Sequence, residues 1–509
     1  MKRSALCLVA LVGVAAVGQA CQGGFPTIGL GHRLVVNVTS NNTGSPEQQL
    51  PISISQPTAF TVDIQAELPD GTVDTSFNGV VNLLVQPGTI SDPTISNVQL
   101  QNGSITGVIV PVVGSFGETH IWADDLGFEP VAPDSNPPPQ CSDGIDNNNN
   151  GLIDYPADPG CYAPVDNTEN LGTYASGASQ TIFFQLPRIS LVRGYDPATG
   201  GEGNATAFPN TQVAIDTGWQ GGTNYTFSTV VIGLTSAGFY VQDLENDLSP
   251  APGYGGLYAY NFDTPTDMRV CDRIQVLSGT SSDFYGFTEL NYPTWQLEYW
   301  NPAVRPCLVP EATVLGVSDI NSLDRLWQLE ATLGRVETAG TVSVAVAAHF
   351  GPGNVPLVNG TYTPDANDSN CDFSHDGKVN FEDPAEAACA AVCDGSSSLA
   401  PTDYQCSEYS SYASQNDFIL VVQDSSNGSQ ARIQANASAA VSFNPVQSRG
   451  QQIHALTGMI SYFSGGEQFT LNVRCDDDVI ASMANPPLTS NVACVNPRTS
   501  AQINANTQQ

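Results

Sequence analysis

Two short stretches of the chain decide its fold, because they recur in the same order: GFYVQD at residues 238–243 and ILVVQD at residues 419–424. Each is an apolar run that ends in Gln-Asp and reads as a β-strand. Farther along, DRIQVLSG (272–279) has a counterpart in GQQIHALTG (450–458), and a segment with aromatic residues and glycine follows each of them. Because order and spacing agree, the sequence predicts two copies of one β-unit.

This succession of strands resembles OB-fold domains, which are small five-stranded barrels. The resemblance implies two OB-like β-barrels, one at residues 171–310 and one at residues 318–482. Between them a short helix is expected over Ser318–Leu326, because three apolar residues there fall on one face. Residues 483–509 are expected to form a polar C-terminal strap and tail.

Residues 25–132 precede the barrels and read as all-β. Pro-Asp-Gly, Pro-Gly and Asn-Gly turns separate short apolar runs, and the runs expected to be strands are 34–38, 60–66, 80–85, 105–113 and 119–123. Strands at this spacing are typical of a sandwich. The segment DTSFNG (74–79) resembles bacterial immunoglobulin-like domains, which act as spacers or adhesive units. The fold class expected is therefore mainly β: an immunoglobulin-like sandwich plus two OB-like β-barrels, with a small calcium-loop/helix insertion.

The charge balance excludes one class of partner. Across 509 residues, 50 Asp and Glu stand against 15 Lys and Arg, which gives a formal net charge of -35. Nucleic-acid binding needs clustered cations, so no nucleic-acid partner is expected. Only five His are present, and the chain has neither an HExxH nor a GxSxG motif, so we expect no catalytic residues and no enzymatic activity.

The N-terminus reads as an export signal. Lys2 and Arg3 precede an apolar run and the sequence Gly-Gln-Ala-Cys, which ends at Cys21. Residues 1–20 therefore resemble a lipoprotein signal peptide, and the resemblance implies a lipid on the Cys21 sulfur that anchors the protein to the outer membrane. Ordinary cleavage followed by secretion is the alternative.

A Pro- and Asn-rich linker is expected at residues 133–170, and it contains a candidate calcium loop. Counting from Asp146, oxygen-bearing residues recur at positions 1, 3, 5 and 9, and Gly stands at position 6. Alternate side chains of a tightly curled loop supply the oxygens that a hard cation needs. The loop looks like a thrombospondin type 3 repeat; position 12 holds Ala157, with Asp158 adjacent. The candidate ligands are Asp146, Asn148, Asn150, Leu152 (through its carbonyl) and Asp154.

A second candidate calcium loop begins at Asp372, within an insertion into the second barrel at residues 361–406. It follows the 12-residue EF-hand pattern with Gly377 at position 6 and Asp383 at position 12. With Val and Asn at positions 8 and 9 it looks like the loop of dockerin-type modules. Its candidate ligands are Asp372, Ser374, Asp376, Lys378 (through its carbonyl), Asn380 and Asp383.

The cysteines fit an exported protein. Leaving out the signal peptide and Cys21, ten remain, and pairing is the default in an oxidising compartment. Position along the chain suggests the local pairs Cys141–Cys161, Cys271–Cys307 and Cys475–Cys494. Cys371, Cys389, Cys393 and Cys406 form a fourth group with three possible connectivities, for which a zinc site is the rival interpretation.

Together these features resemble multidomain bacterial surface lipoproteins. The resemblance implies a non-catalytic outer-membrane lipoprotein, facing the periplasm or the cell surface, with a structural or adhesive role and structural calcium. One alternative is a polysaccharide- or protein-binding module, whose contacts would come from aromatic residues that otherwise pack in the core: Tyr240, Tyr258, Tyr260, Phe284, Tyr285 and Phe287. The other is an accessory or degenerate member of a secreted nuclease or hydrolase family, because similar OB-fold modules accompany secreted nucleases.

Overall fold

The structure is a computed structural model. It describes residues 31–40, 42–195, 205–220, 228–244, 253–347, 415–445, 447–448, 451–463 and 468–506. Cys21, the second candidate calcium loop and the four cysteines between residues 371 and 406 lie outside these ranges. The mainly β fold class is confirmed: the described residues form four β-sheets and a few short helices. In the same ranges no helix combines the length and the apolar character that crossing a membrane would require.

The N-terminal part is a sandwich of two sheets. Its strands are β1 (Arg33–Val38), β2 (Thr58–Glu67), β3 (Val80–Gln86), β4 (Thr89–Ile90), β5 (Asn97–Gln99), β6 (Ser104–Val113), β7 (Glu118–Phe128), β8 (Gly177–Ala178) and β9 (Ile182–Phe183). One sheet has the order β1-β2-β6-β4 and the other β5-β3-β7-β8, with β9 also paired to β7. All five strands predicted from the sequence are present. Alternate residues of β2, from Phe60 to Ala66, point into the core between the sheets.

The sandwich extends beyond residue 132, where the sequence analysis placed its end. β8 and β9 join the second sheet, so the intervening segment leaves β7 and returns to it. Hydrogen bonds to carboxylates help to hold the returning chain: the Asp125 carboxylate accepts from the amides of Thr173 (2.8 Å) and Tyr174 (3.1 Å). A strand of two residues is too short to show a hydrophobic period, so β8 and β9 could not be predicted from the sequence.

The first barrel contains β10 (Thr211–Ala214), β11 (Thr229–Thr235), β12 (Gly238–Asp243), β13 (Gly256–Tyr260), β14 (Arg273–Phe284) and β15 (Phe287–Glu298). The strands pair in the order β14-β11-β12-β13-β15, and β15 pairs with β14 again, so the sheet closes on itself. The pairing of β13 with β15 is parallel, whereas the others in this sheet are antiparallel. Five strands therefore form a closed sheet with one parallel pair.

The second sheet repeats that connectivity. Its strands are β16 (Thr313–Val314), β17 (Leu333–Glu337), β18 (Val342–Ala347), β19 (Asp417–Asp424), β20 (Ser429–Asn436), β21 (Gln452–Ile453), β22 (Ala455–Phe463), β23 (Gln468–Asn472) and β24 (Val479–Ile480). The order β18-β19-β20-β23-β22 again contains one parallel pair, β20 with β23, and β21 brings the chain back to β18. GFYVQD forms β12 and ILVVQD lies in β19, so the two segments occupy equivalent positions in the two sheets.

The helices are short: α1 (Ile189–Val192), α2 (Val317–Ile320), α3 (Leu323–Leu329) and α4 (Ser500–Asn506). The helix expected over Ser318–Leu326 is split into α2 and α3. The Ser322 hydroxyl accepts a hydrogen bond from the Arg325 amide (3.3 Å) and so caps α3 at its start. A capping serine inside the predicted helix therefore explains the break.

The two barrels share a buried cluster of side chains. Ile232 of β11 and Tyr240 of β12 belong to the same cluster as Leu333 of β17 and Met459 of β22. Across this boundary Arg474 donates to the carbonyl of Ile232 (3.1 Å). The repeats are therefore packed against each other through apolar side chains and a buried arginine.

Candidate metal site in residues 141–169

The first candidate calcium loop lies in the segment between β7 and β8. Cys141 and Cys161 form the predicted disulfide across it, with their Cα atoms 5.6 Å apart. Asp166, which is fully buried, accepts hydrogen bonds from the amides of Glu129 (2.9 Å) and Tyr162 (3.1 Å). Burial is the largest influence on this carboxyl and raises its pKa. The disulfide thus closes the segment on itself, and the hydrogen bond from Glu129, the residue that follows β7, holds it at the end of that strand.

The loop curls around the side chains that the sequence singled out. The two oxygens of Asp146 accept from the amides of Asn150 (3.1 Å) and Gly151 (2.9 Å). Asn148 Oδ1 also accepts from the Asn150 amide (2.9 Å), and Asn150 Oδ1 accepts from the Leu152 amide (2.8 Å). Gly151 has φ +87°, the left-handed conformation that the bend needs at position 6.

Two buried carboxylates complete the cluster. Asp158 and Glu169 are each 1% exposed, and neither is in an ion pair in the part of the chain that the structure describes. Asp158 Oδ2 accepts from the side-chain amides of Asn148 (3.1 Å) and Asn150 (3.0 Å). Glu169 Oε2 accepts from the Asn147 amide (2.5 Å). Both carboxylates therefore contact the loop, and both come from the part of the chain that follows it and returns to β7.

The other predicted ligands differ in their surroundings. Both oxygens of Asp154 face the Gly144 amide, at 3.2 and 2.9 Å, while the Asp154 amide donates to Glu169 Oε1 (3.2 Å). The Leu152 side chain is exposed. The structure therefore brings Asp146, Asn148 and Asn150 together and turns the Asp154 carboxylate toward the start of the loop.

The chemistry of this donor set suits calcium. The side-chain amides of Asn148 and Asn150 each carry an oxygen, which accepts a backbone hydrogen bond within the loop, as well as the nitrogen that meets Asp158. Carboxylate, amide and carbonyl oxygens are the ligands that Ca²⁺ prefers. Among the described residues no group of three or more His, Cys, Asp or Glu side chains is arranged to hold a metal ion. A site here accordingly depends on the asparagines as well as on Asp146, Asp158 and Glu169.

The sequence pattern placed Asp158 next to position 12 of the loop, but not among the ligands, and gave no indication that Glu169 contacts the loop. Glu169 follows Asp146 by more than twenty residues, and no ligand spacing predicts a contact at that distance. The only signal for it is the disulfide, which forces the chain to fold back. Ligands so distant in sequence can be identified only when the fold is known.

The aromatic residues considered for recognition separate into two groups. Tyr240, Tyr258 and Phe287 are buried between the barrels, as packing predicts, and Tyr260 is partly buried against them. Phe284 and Tyr285 are exposed at the β14–β15 turn. Two further exposed rings, Phe262 and Tyr292, were not singled out from the sequence, and their centroids are 5.3 Å apart.

Two more predicted disulfides are present, Cys271–Cys307 and Cys475–Cys494, with Cα separations of 5.2 and 5.6 Å. The predicted ligands from Asp372 to Asp383 and the lipidation residue Cys21 lie outside the described residues. This chain matches no protein-family model, no curated protein sequence and no solved structure.

Proposed function

We propose that this protein is an exported, non-catalytic structural or adhesive protein whose fold is stabilised by calcium and which is anchored to the outer membrane through a lipid on Cys21. One observation carries the calcium part of the proposal: Asp158 and Glu169 are buried against the oxygen-rich loop that starts at Asp146, without an ion pair in the described chain.

The energetic argument starts from these two carboxylates. Removing a carboxylate from water is costly unless an opposite charge or several hydrogen-bond donors compensate. Amide groups compensate here in part, and a divalent cation would add the missing positive charge. Because the unfolded chain has no such loop, the free energy of calcium binding adds to the stability of the fold. Extracellular calcium modules bind with dissociation constants of about 0.1–1 mM.

Thermal melting of chelator-treated protein tests this proposal. Calcium added to about ten times its dissociation constant stabilises by roughly 1.4 kcal/mol per site, so we expect the melting temperature to rise by a few degrees. Asp158→Asn is expected to reduce this rise, and calorimetric titration should count one calcium site fewer than in the unaltered protein. Asp134→Asn, at an exposed position outside the loop, is the matched control. A melting temperature that does not respond to millimolar calcium would remove calcium from the proposal.

The anchor is tested separately. Lys2, Arg3 and the apolar run before Cys21 motivate it. Mass spectrometry of the N-terminal peptide from membranes should find a diacylglyceryl-modified Cys21 as the first residue. An unmodified peptide beginning at that position would instead indicate ordinary secretion.

A further inference from the structure

A cleft of about 340 Å³ opens beside the end of β7. Three carboxylates line it, those of Asp74, Asp125 and Glu129, together with the rings of Phe77 and Tyr174. We propose that this cleft binds an organic cation, namely a primary ammonium or a guanidinium group. The proposal concerns a different set of side chains from the calcium loop and does not rest on the proposed function.

The walls of the cleft are held in place by direct contacts. The Tyr174 hydroxyl donates to Asp74 Oδ2 (2.6 Å), and its ring packs against Phe77 with the centroids 4.5 Å apart. Asp74 Oδ1 accepts from the Ser76 amide (2.9 Å). Asp125 accepts from the amides of Gly127 (2.9 Å) and Thr173 (2.8 Å). The cavity is therefore formed before any ligand arrives, which lowers the entropic cost of binding.

The charge in the cleft is mainly negative. Among the described residues no Lys or Arg lines it, and Arg33 of β1 is paired with Glu67 at 2.7 Å. His32 is the basic side chain of the lining, with its ring 5.1 Å from that of Tyr174, so three carboxylates face one histidine. In the described part of the chain the Glu129 carboxylate accepts no hydrogen bond. Burial, followed by the negative charges of Asp166, Asp125 and Asp74, raises the pKa of Glu129. A bound cation would relieve this repulsion, so electrostatics favours a positively charged ligand.

The arrangement suits an organic cation better than a metal ion. A metal needs several oxygens at about 2.4 Å from one point, whereas the three carboxylates do not form such a group. Ammonium and guanidinium groups accept a wider spread of partners at hydrogen-bond distance. They also bind favourably beside aromatic rings, and the partly exposed ring of Tyr174 lines the cleft. The volume lies at the lower end of the range for small-molecule sites.

Calorimetric titration in calcium-containing buffer at physiological salt tests the inference, since calcium keeps the neighbouring loop in one state. The probes are spermidine, which represents free amines, and Nα-acetyl-lysine methylamide, which represents a lysine side chain of a partner protein. The Nε-acetylated form of the lysine probe has nearly the same shape without the charge. Glu129→Gln is the test variant because its carboxylate makes no hydrogen bond that folding would lose. Glu118→Gln removes an exposed charge at the opposite end of β7, outside the cleft, and is the control.

We expect both charged probes, or one of them, to bind with a dissociation constant of about 1 mM or below, and Glu129→Gln to weaken this binding about tenfold. Glu118→Gln should leave it unchanged. Tighter binding of spermidine would assign the cleft to free amines, and tighter binding of the lysine probe to a basic protein segment. Equal binding of the acetylated probe, equal loss in both variants, or no binding of either charged probe up to about 10 mM would overturn the inference.

Discussion

Glu330 illustrates how a single buried carboxyl can set the response of this protein to pH. It follows α3 and forms an ion pair with Arg193, which follows α1, at 3.1 Å; both side chains are 1% exposed. Arg193 also donates to the carbonyls of Glu330 (2.6 Å) and Trp327 (2.7 Å), whereas Glu330 Oε2 has no hydrogen-bond partner in the described chain. Burial outweighs the attraction of Arg193 and raises the pKa of Glu330 to about 7.

The direction of the pH effect follows. Because the pKa of Glu330 is higher in the folded protein than its ordinary value of 4.5, its contribution to stability is complete below about pH 4.5 and is lost as pH rises through about 7. This difference corresponds to roughly 3 kcal/mol. Gln has the same shape and cannot ionise, so Glu330→Gln should flatten the fall in unfolding free energy between pH 5 and pH 8. Urea unfolding in chelator at both pH values measures it, with the exposed Glu47→Gln as control. An unchanged slope in Glu330→Gln would contradict this account.

At the scale of secondary-structure elements, the hydrophobic periodicity of the sequence predicted the long, regular strands. β2 alternates between buried and outward-facing residues from Ala59 to its end, and β7 does so from Glu118 to Ala123. Most of both stretches was predicted from the sequence. Two-residue strands such as β8 and β9 arise from tertiary pairing, which leaves no local pattern. The candidate calcium loop follows the same rule. The spacing from Asp146 to Asn150 is a local pattern that the sequence shows, whereas the contact of Glu169 with the loop depends on how the chain returns to β7.

The docking of the two barrels can be tested at one strand. Gly256 in β13 lies so close to the backbone of Ala331 that a Cβ atom there would overlap it, whereas a Cβ on the adjacent Gly255 would meet nothing within 4 Å. Backbone cannot move aside as a side chain can, so Gly256→Ala should destabilise the protein by about 2–3 kcal/mol. Gly255→Ala should change stability by no more than about 0.5 kcal/mol. Chemical unfolding of the two variants side by side measures both, and equal stability would mean that β13 does not pack there.

At the scale of the whole molecule, more than half of the described arginine side chains are buried inside the protein. Of the eleven arginines in the described ranges, six are buried: Arg193, Arg273, Arg305, Arg432, Arg474 and Arg498. Arg498, for example, pairs with Asp272 at 2.7 Å, and Arg474 pairs with Asp478 at 2.7 Å. Nine Asp and Glu side chains are buried as well in the described ranges, so with a formal net charge of -35 the surface remains strongly negative. Such a surface repels itself in the folded state and attracts cations.

This distribution predicts a particular response to salt. Repulsion among exposed carboxylates is screened over about 10 Å at 0.1 M salt, whereas the buried arginine pairs are screened much less. In chelator, raising NaCl from about 20 mM to about 500 mM should therefore raise the melting temperature, because repulsion is relieved while the internal pairs persist. Calcium added at constant ionic strength should raise it further, since binding at the loop around Asp158 is distinct from screening. A melting temperature that falls with NaCl would mean that exposed ion pairs, and not repulsion among carboxylates, control the stability of the folded chain.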